Sequence, residues 1–455
     1  MITGRNIIFT SSIDWDDQWQ APQELAVRLS QAGNRVLYIE NTGVRSPGFR
    51  DTKRIVRRLK HWAGALHQHS LRQVAPNIWV HAPLVLPPFG SGIRESLNRH
   101  LFLPLIGKVA RGLRMTDPII WTFLPTDTTL GVLDLLSSTN SRVIYYCAGD
   151  FAQLTTDSQQ LARNEAQLVR RSYVVFTICE ELATHCRQWN NNVHVFPYGV
   201  NLKAFPVQDS DFPSLRSAHG EFSWARQSPA KSPAPAAKNG HKVIGYVGGW
   251  HRHVSVDMLT VMARARPTWS WVFVGSSEIS LNDFADLPNV YILGQRPHRE
   301  LADYIRTFDV CIVPYKRSTY TETVVPSKIN EYLAMGKPIV STNLPWVCAF
   351  NEQHQVIVTS QEHPEEFLRG IEHALSLRDD DALIARRRAV ARQGDWETRL
   401  ESMSELITNH RDKPDNWGSL PALVSTEQNN DHGAFSSRIV GPFASQPYSH
   451  QGALD

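Results

Sequence analysis

Lys328 and Glu331 stand three residues apart in the run Pro326-Ser327-Lys328-Ile329-Asn330-Glu331-Tyr332-Leu333-Ala334-Met335-Gly336-Lys337-Pro338-Ile339-Val340-Ser341. The run reads as a helix followed by a short buried strand. Pro326 suits a first turn, where its missing N–H is no loss. Gly336 suits the stop, and Pro338 blocks continuation. At i, i+3 the Lys and the Glu share one helix face near its N-terminus. Free N–H groups at that terminus, with a Lys beside them, can seat a phosphate. A Glu one turn on can accept hydrogen bonds from ribose hydroxyls. Pro326, Ser327, Lys328 and Glu331 are therefore candidates for holding a nucleotide. A solvated helix with an ordinary Lys–Glu pair is the alternative.

Three further clusters carry candidate chemistry. Gly245-Tyr246-Val247-Gly248-Gly249-Trp250 ends a strand with two glycines, which let backbone approach a diphosphate closely. The spacing is not that of a dinucleotide fingerprint, and a tight turn is the competing reading. Arg252 follows at once and has the fork geometry to clamp phosphate oxygens. Tyr145-Tyr146-Cys147-Ala148-Gly149-Asp150 ends another strand. A carboxylate there projects into a crevice, so Asp150 is a catalytic candidate that would orient a hydroxyl. Asp150 as a helix cap or turn residue is equally open. Asp14 and Trp15, in Asp14-Trp15-Asp16-Asp17, suit sugar stacking and hydroxyl binding. Asp14-x-Asp16 has the look of a metal motif, but it directly follows the first strand, and no metal site is assigned.

The elements that must position these residues alternate. Strands are predicted at Asn6–Thr10, Arg35–Glu40, Ile78–Ala82, Ile119–Phe123, Arg142–Cys147, Val174–Ile178 and Val193–Pro197. A second series covers Lys242–Val247, Trp271–Gly275, Val290–Leu293, Val310–Pro314, Ile339–Thr342 and Val356–Val358. Helical patterns lie between, for example Pro22–Ala32, Val256–Arg264 and His298–Thr307. Strands separated by helices imply α/β units with parallel sheets, and two successive series imply two doubly wound domains with a cleft between them.

Residues 206–241 break the alternation with a Pro/Ala-rich stretch that reads as a linker or insertion. From 413 to 455 the composition turns Ser/Asn/Gly/Pro-rich and reads as a tail that chemistry does not need. The run Lys53–Leu66 is basic, with Ile55, Leu59, Trp62 and Leu66 on one helical stripe. That is the pattern of a membrane-surface helix, against a surface helix packed on the sheet.

Bulk properties fit this organisation. The 455 residues are 42% hydrophobic and 20% charged, as in a soluble globular protein. A net charge of +3 gives no case for nucleic-acid binding. Five cysteines without a CxxC pair read as reduced thiols in the cytoplasm. Ile7-Ile8-Phe9 is too short for a signal-peptide core.

The run from Pro326 to Ser341 resembles the donor-nucleotide motif of group 1 glycosyltransferases, the retaining family-four type. Its closest likeness is to the branch reading Pro-x-Lys-x-x-Glu-Tyr-x-Ala-x-Gly-x-Pro, found among bacterial surface-polysaccharide enzymes. The likeness extends through Trp19-x-x-Pro22-Gln23-Glu24 to Leu37–Gly43, and Phe196-Pro197-Tyr198-Gly199-Val200-Asn201 with Phe205 resembles the family's hinge marker. It covers most of residues 5–205 and 242–410. It implies the GT-B fold: an acceptor-side Rossmann-like domain at 1–205, a nucleotide-sugar domain at 242–390, and a segment at 391–412 that crosses back. It implies a sugar transferred from a nucleoside diphosphate sugar to a glycan or lipid-linked glycan, with no metal; the cysteines place the protein in the cytoplasm, and the basic helix at 53–66 would bring it to the inner face of the plasma membrane. Glu331 would be the second Glu of the family's Glu-x7-Glu motif and hold the ribose. The first position is Thr323, with Glu322 one residue out of register. A sugar-nucleotide epimerase and a non-catalytic binder share the same fold and stay open.

Overall fold

The computed structural model describes residues 1–17, 19–40, 71–83, 85–86, 92–154, 157–206 and 241–408. The predicted basic helix at 53–66, the linker and the tail lie outside these residues.

Two sheets organise the chain. The first holds eight strands in the order β3-β4-β2-β1-β5-β6-β7-β8. These are β1 Asn6–Thr10, β2 Arg35–Ile39, β3 Leu71–Ala75, β4 Ile78–His81, β5 Ile119–Thr122, β6 Arg142–Cys147, β7 Val174–Thr177 and β8 Val193–Val195. All pairs are parallel except β3–β4. The second holds six parallel strands in the order β11-β10-β9-β12-β13-β14. They are β9 Val243–Val247, β10 Ser270–Val274, β11 Val290–Gly294, β12 Val310–Val313, β13 Ile339–Thr342 and β14 Val358–Ser360. In each sheet the chain starts near the middle, runs to one side, then reverses. Crevices open at such switch points, beyond the carboxyl ends of the strands.

Continuous burial explains the strands. β5, β7, β9, β10, β12 and β13 are buried at every position, as parallel strands covered on both faces must be. Two places depart from the sequence reading. β3 was not predicted: its Arg72-Gln73 pair is exposed and it sits at the sheet edge, paired through a turn at Asn77 with φ 62°. β14 starts at Val358, not Val356. The Asn351 Oδ1 accepts from the backbone N–H of Val356 and of Ile357, at 2.9 and 2.8 Å, and diverts both donors from the ladder.

The terminal helix Trp396–Thr408 packs on the first sheet, with Trp396, Leu400, Met403 and Ile407 in the core that holds Phe9, Trp121 and Phe176. Its entry is fixed at the hinge, where Val200 N–H donates to Gly394 O at 2.9 Å and Trp396 N–H to Val200 O at 3.1 Å. Both sheets fall within one compact unit, Met1–Asn409. Among the described residues no helix is long and apolar enough to cross a membrane.

Candidate functional site

The second sheet's crevice begins where β9 ends. Gly248 has φ +146° and Gly275, after β10, has φ +153°. A Cβ on Gly275 would lie 1.9 Å from the Gly248 carbonyl oxygen, and one on Gly248 would lie 2.6 Å from Lys328 Cε. The two strand-end loops therefore pack backbone on backbone, with the Lys328 stem laid across Gly248.

The helix Lys328–Ala334 is fixed beneath this loop by its own motif residues. The Val247 N–H donates to Tyr332 Oη at 2.8 Å, and Asn330 Nδ2 donates to Tyr198 O at 2.6 Å. Lys328 is only 9% exposed. Its Nζ donates to Tyr315 Oη at 2.5 Å and stands 5.3 and 4.7 Å from the ring centroids of Tyr246 and Tyr315. A phenol and two ring faces are weak compensation for a buried ammonium, so an anion in the crevice would be strongly favoured.

Glu331 faces the same crevice. Its Oε1 lies 3.2 Å from His298 Nε2, with both side chains mostly buried. Burial opposes a proton on His298, but the bond to Glu331, the Glu331 charge and the Glu24 charge outweigh it, and the imidazole pKa is raised. His251, just past the glycines, behaves oppositely: burial, then Lys328, His253 and Arg252, bring it down to about 4. The His253 N–H is 3.3 Å from His251 Nδ1, which leaves Nε2 to carry the proton of the neutral ring.

The first sheet supplies the opposite wall. Trp15 N–H donates to Glu40 Oε1 at 3.1 Å, and the Trp15 ring packs edge-on against Tyr38 and Trp19. Arg72 Nη2 reaches Asp16 at 2.6 Å and Glu40 at 3.0 Å. Burial raises the Glu40 pKa, which the Trp15 N–H and Arg72 oppose. Glu24 accepts from Trp19 Nε1 at 2.8 Å and Arg28 Nε at 2.7 Å. This wall is therefore a set of carboxylates held by arginines, one indole and one backbone N–H.

The cleft between the walls has a volume of about 1150 Å³. Of the residues singled out in the sequence, Trp15, Gly248, Gly249, Pro326, Ser327, Lys328 and Glu331 line it. Asp14, Asp150 and Arg252 are not among its lining residues. Asp150 accepts from Ala152 N–H at 3.1 Å and Gln153 Nε2 at 3.0 Å, the turn-residue geometry. Arg252 points its Nε at His253 Nε2, 3.1 Å away, and is exposed. Asp14 uses its backbone carbonyl, which accepts from Gln23 Nε2 at 3.3 Å. Thr323 lines the cleft, whereas Glu322 is exposed outside it. Among the described residues no group of three or more His, Cys, Asp or Glu is arranged to hold a metal.

Sequence reasoning missed His251, His298 and Tyr315. His251 adjoins the glycine pair and Tyr315 follows a strand end, signals that position alone would have supplied. His298 meets Glu331 from 33 residues away, and no local pattern announces that.

Comparison with known proteins bears on family and fold. Residues 241–376 match the family described as "Glycosyl transferases group 1". Over 179 residues the chain is 31% identical to the "Putative teichuronic acid biosynthesis glycosyltransferase TuaH" of Bacillus subtilis (strain 168), covering 38% of this chain and 45% of that protein. The chain thus spans about half the length of that curated relative. Among solved structures, sucrose-phosphate synthase from Thermosynechococcus elongatus superposes with a TM-score of 0.62 at 16% identity, over 89% of this chain and 98% of that one. Anabaena Alr3699/HepE in complex with UDP and glucose superposes with a TM-score of 0.57 at 16% identity, over 89% and 99%. The segment 241–376 is thus a match to the group 1 glycosyl transferases, and the described chain as a whole has the GT-B fold.

Proposed function

We propose that the protein is a glycosyltransferase that moves a sugar from a nucleoside diphosphate sugar to a glycan or lipid-linked glycan in surface-polysaccharide assembly, with retention of configuration. The observation that carries this reading is the buried Lys328 ammonium, partnered by a phenol and ring faces at a glycine-lined strand end. Lys328, the backbone at Gly248–Gly249 and the turn at Pro326–Ser327 would hold the diphosphate. Glu331, with one oxygen on His298, would accept from the ribose hydroxyls with the other. Trp15 would stack on the acceptor or the donor sugar. Rate enhancement would come from positioning and from stabilising the departing diphosphate. UDP in the Alr3699/HepE complexes and the teichuronic acid role in the name of the Bacillus subtilis relative support the donor class and the setting.

Titration calorimetry with a panel of nucleoside diphosphates tests the reading. One nucleotide should bind, and Lys328→Met and Glu331→Ala should each weaken it. No binding by any nucleotide would overturn the assignment. Incubating the bound nucleotide sugar with and without acceptor then separates transfer from epimerisation, because an epimerase converts the donor alone.

A further inference from the structure

Seven large apolar side chains are exposed among the described residues, and four of them belong to one helical stretch. They are Ile93, Leu97, Leu101 and Leu105, at 72, 38, 57 and 42% exposure, spaced four apart. The stretch runs through Gly92–Leu97, a π turn at Asn98–Phe102, and the helix Leu103–Gly112. In a regular α-helix a spacing of four drifts around the axis. The wider π turn, where Leu103 N–H reaches back to Asn98 O, offsets that drift and holds the four side chains toward one face. Pro104 accounts for the turn, since it has no N–H to continue the regular ladder.

The opposite face is committed to the fold. Leu103, Ile106, Gly107 and Ala110 are buried, and Leu103, Ile106 and Ala110 pack with Ile8, Leu37 and Ile39. Asn98 clamps the start, accepting from Leu86 N–H at 2.8 Å and donating to Leu86 O at 3.0 Å. The exposed stripe is thus presented on a fixed platform. Arg94, Arg99, Lys108, Arg111 and Arg114 are exposed along the same stretch, against the single carboxylate Glu95.

We propose that the helical face 92–112 docks on an anionic lipid bilayer, with Ile93, Leu97, Leu101 and Leu105 in the headgroup boundary and the cations along the stretch on lipid phosphates. Charge decides among the occupants. A second copy placed on this face by twofold symmetry would set the same cations against each other. The chain's own apolar segment at 53–66 carries Lys53, Arg54, Arg57, Arg58 and Lys60, so covering the face with it would also bring like charges together. An anionic surface meets both the apolar stripe and the charge. The inference stands apart from the proposed activity, because lipid binding needs neither nucleotide nor turnover.

Co-sedimentation of the full chain with phosphatidylglycerol-containing vesicles tests it. Wild type should pellet at low salt, less at high salt, and little with phosphatidylcholine alone. The double variant Leu101→Ser/Leu105→Ser should weaken binding by roughly tenfold, with an unchanged melting temperature since both side chains face solvent. Arg57→Glu/Arg58→Glu serves as the comparison. Failure of wild type to pellet would overturn the proposal, as would pelleting of the Leu101/Leu105 variant equal to wild type. A dimer in light scattering that the same variant dissociates would assign the face to a second copy instead.

Discussion

The two walls of the cleft are built on different principles. On the C-terminal side, glycine backbones touch, Lys328 lies over one of them, and Tyr332 ties the helix to β9. Few side-chain choices there are free of their neighbours. On the N-terminal side, carboxylates are gripped by Arg72, Arg28, the Trp19 indole and the Trp15 backbone N–H, and Gly149 has nothing within 4 Å of an added Cβ. The comparison teaches that the first wall is specified by close packing and the second by exchangeable polar contacts. A packed wall suits a ligand part shared by many donors, such as a diphosphate. A polar, loop-borne wall suits a part that varies, such as an acceptor.

The sharpest way to break this contrast is a methyl group on each wall. Gly275→Ala should destabilise the protein by several kcal/mol, since backbone must move at a site with left-handed φ. Gly149→Ala should fall within about 0.5 kcal/mol of wild type. Denaturant melts of the two variants check this, and equal midpoints would erase the distinction.

Acid should separate the surroundings of the two sheets next. The folded pKa of His251 lies at about 4, below its ordinary 6.5, so the unfolded chain binds the proton more readily. Stability should therefore fall as pH drops from 6.5 toward 4, by at most roughly 3 kcal/mol. Beside the first sheet and outside the cleft lining, the bond to Glu165 raises the pKa of His185 against its burial, with the charges of Glu165 and Asp150 adding to the rise. Its contribution is full below the unfolded value and disappears as pH rises through the folded one. Melting temperatures against pH should flatten at the acid end for His251→Asn. His185→Gln should lose stability mainly in acid, the opposite sign.

Ligand binding gives a smaller effect. Glu331→Ala should lower nucleotide affinity by roughly tenfold, about the worth of one hydrogen bond to a charged group at the low end of its range. His298→Ala should lower it less, because Glu331 remains, and should broaden the response of affinity to pH. Calorimetry across pH measures both. The smallest effect on the donor belongs to Trp15→Ala. Nucleotide affinity should change by less than about twofold, within the range of a residue without direct contact, while the acceptor KM rises. A large loss of nucleotide affinity would move Trp15 to the donor side.

Much of the fold was legible in the sequence, because buried parallel strands advertise themselves as continuous apolar runs. Asn6–Thr10, Arg142–Cys147 and Ile339–Thr342 begin and end where the pattern places them. β3 was not legible, since an edge strand with exposed Arg72 and Gln73 lacks the apolar signal. The start of β14 was misplaced because Asn351, a helix residue, takes two backbone donors that the apolar pattern assigned to the ladder.

The site divides in the same way. Lys328, Glu331 and the glycine pair could be read locally: helix spacing sets the first two on one face, and paired glycines after a buried strand mark a close approach. Those signals are properties of short stretches, and short stretches are what sequence determines. Tertiary structure alone decided that Glu331 meets His298, that Lys328 finds a phenol rather than a carboxylate, and that Asp150 turns to Ala152 and Gln153. It also decided that Gly275 must be a glycine, because the atom a side chain would strike belongs to a loop 27 residues earlier, at Gly248. Contacts between distant segments depend on how sheets stack and where loops cross, and no local periodicity encodes that.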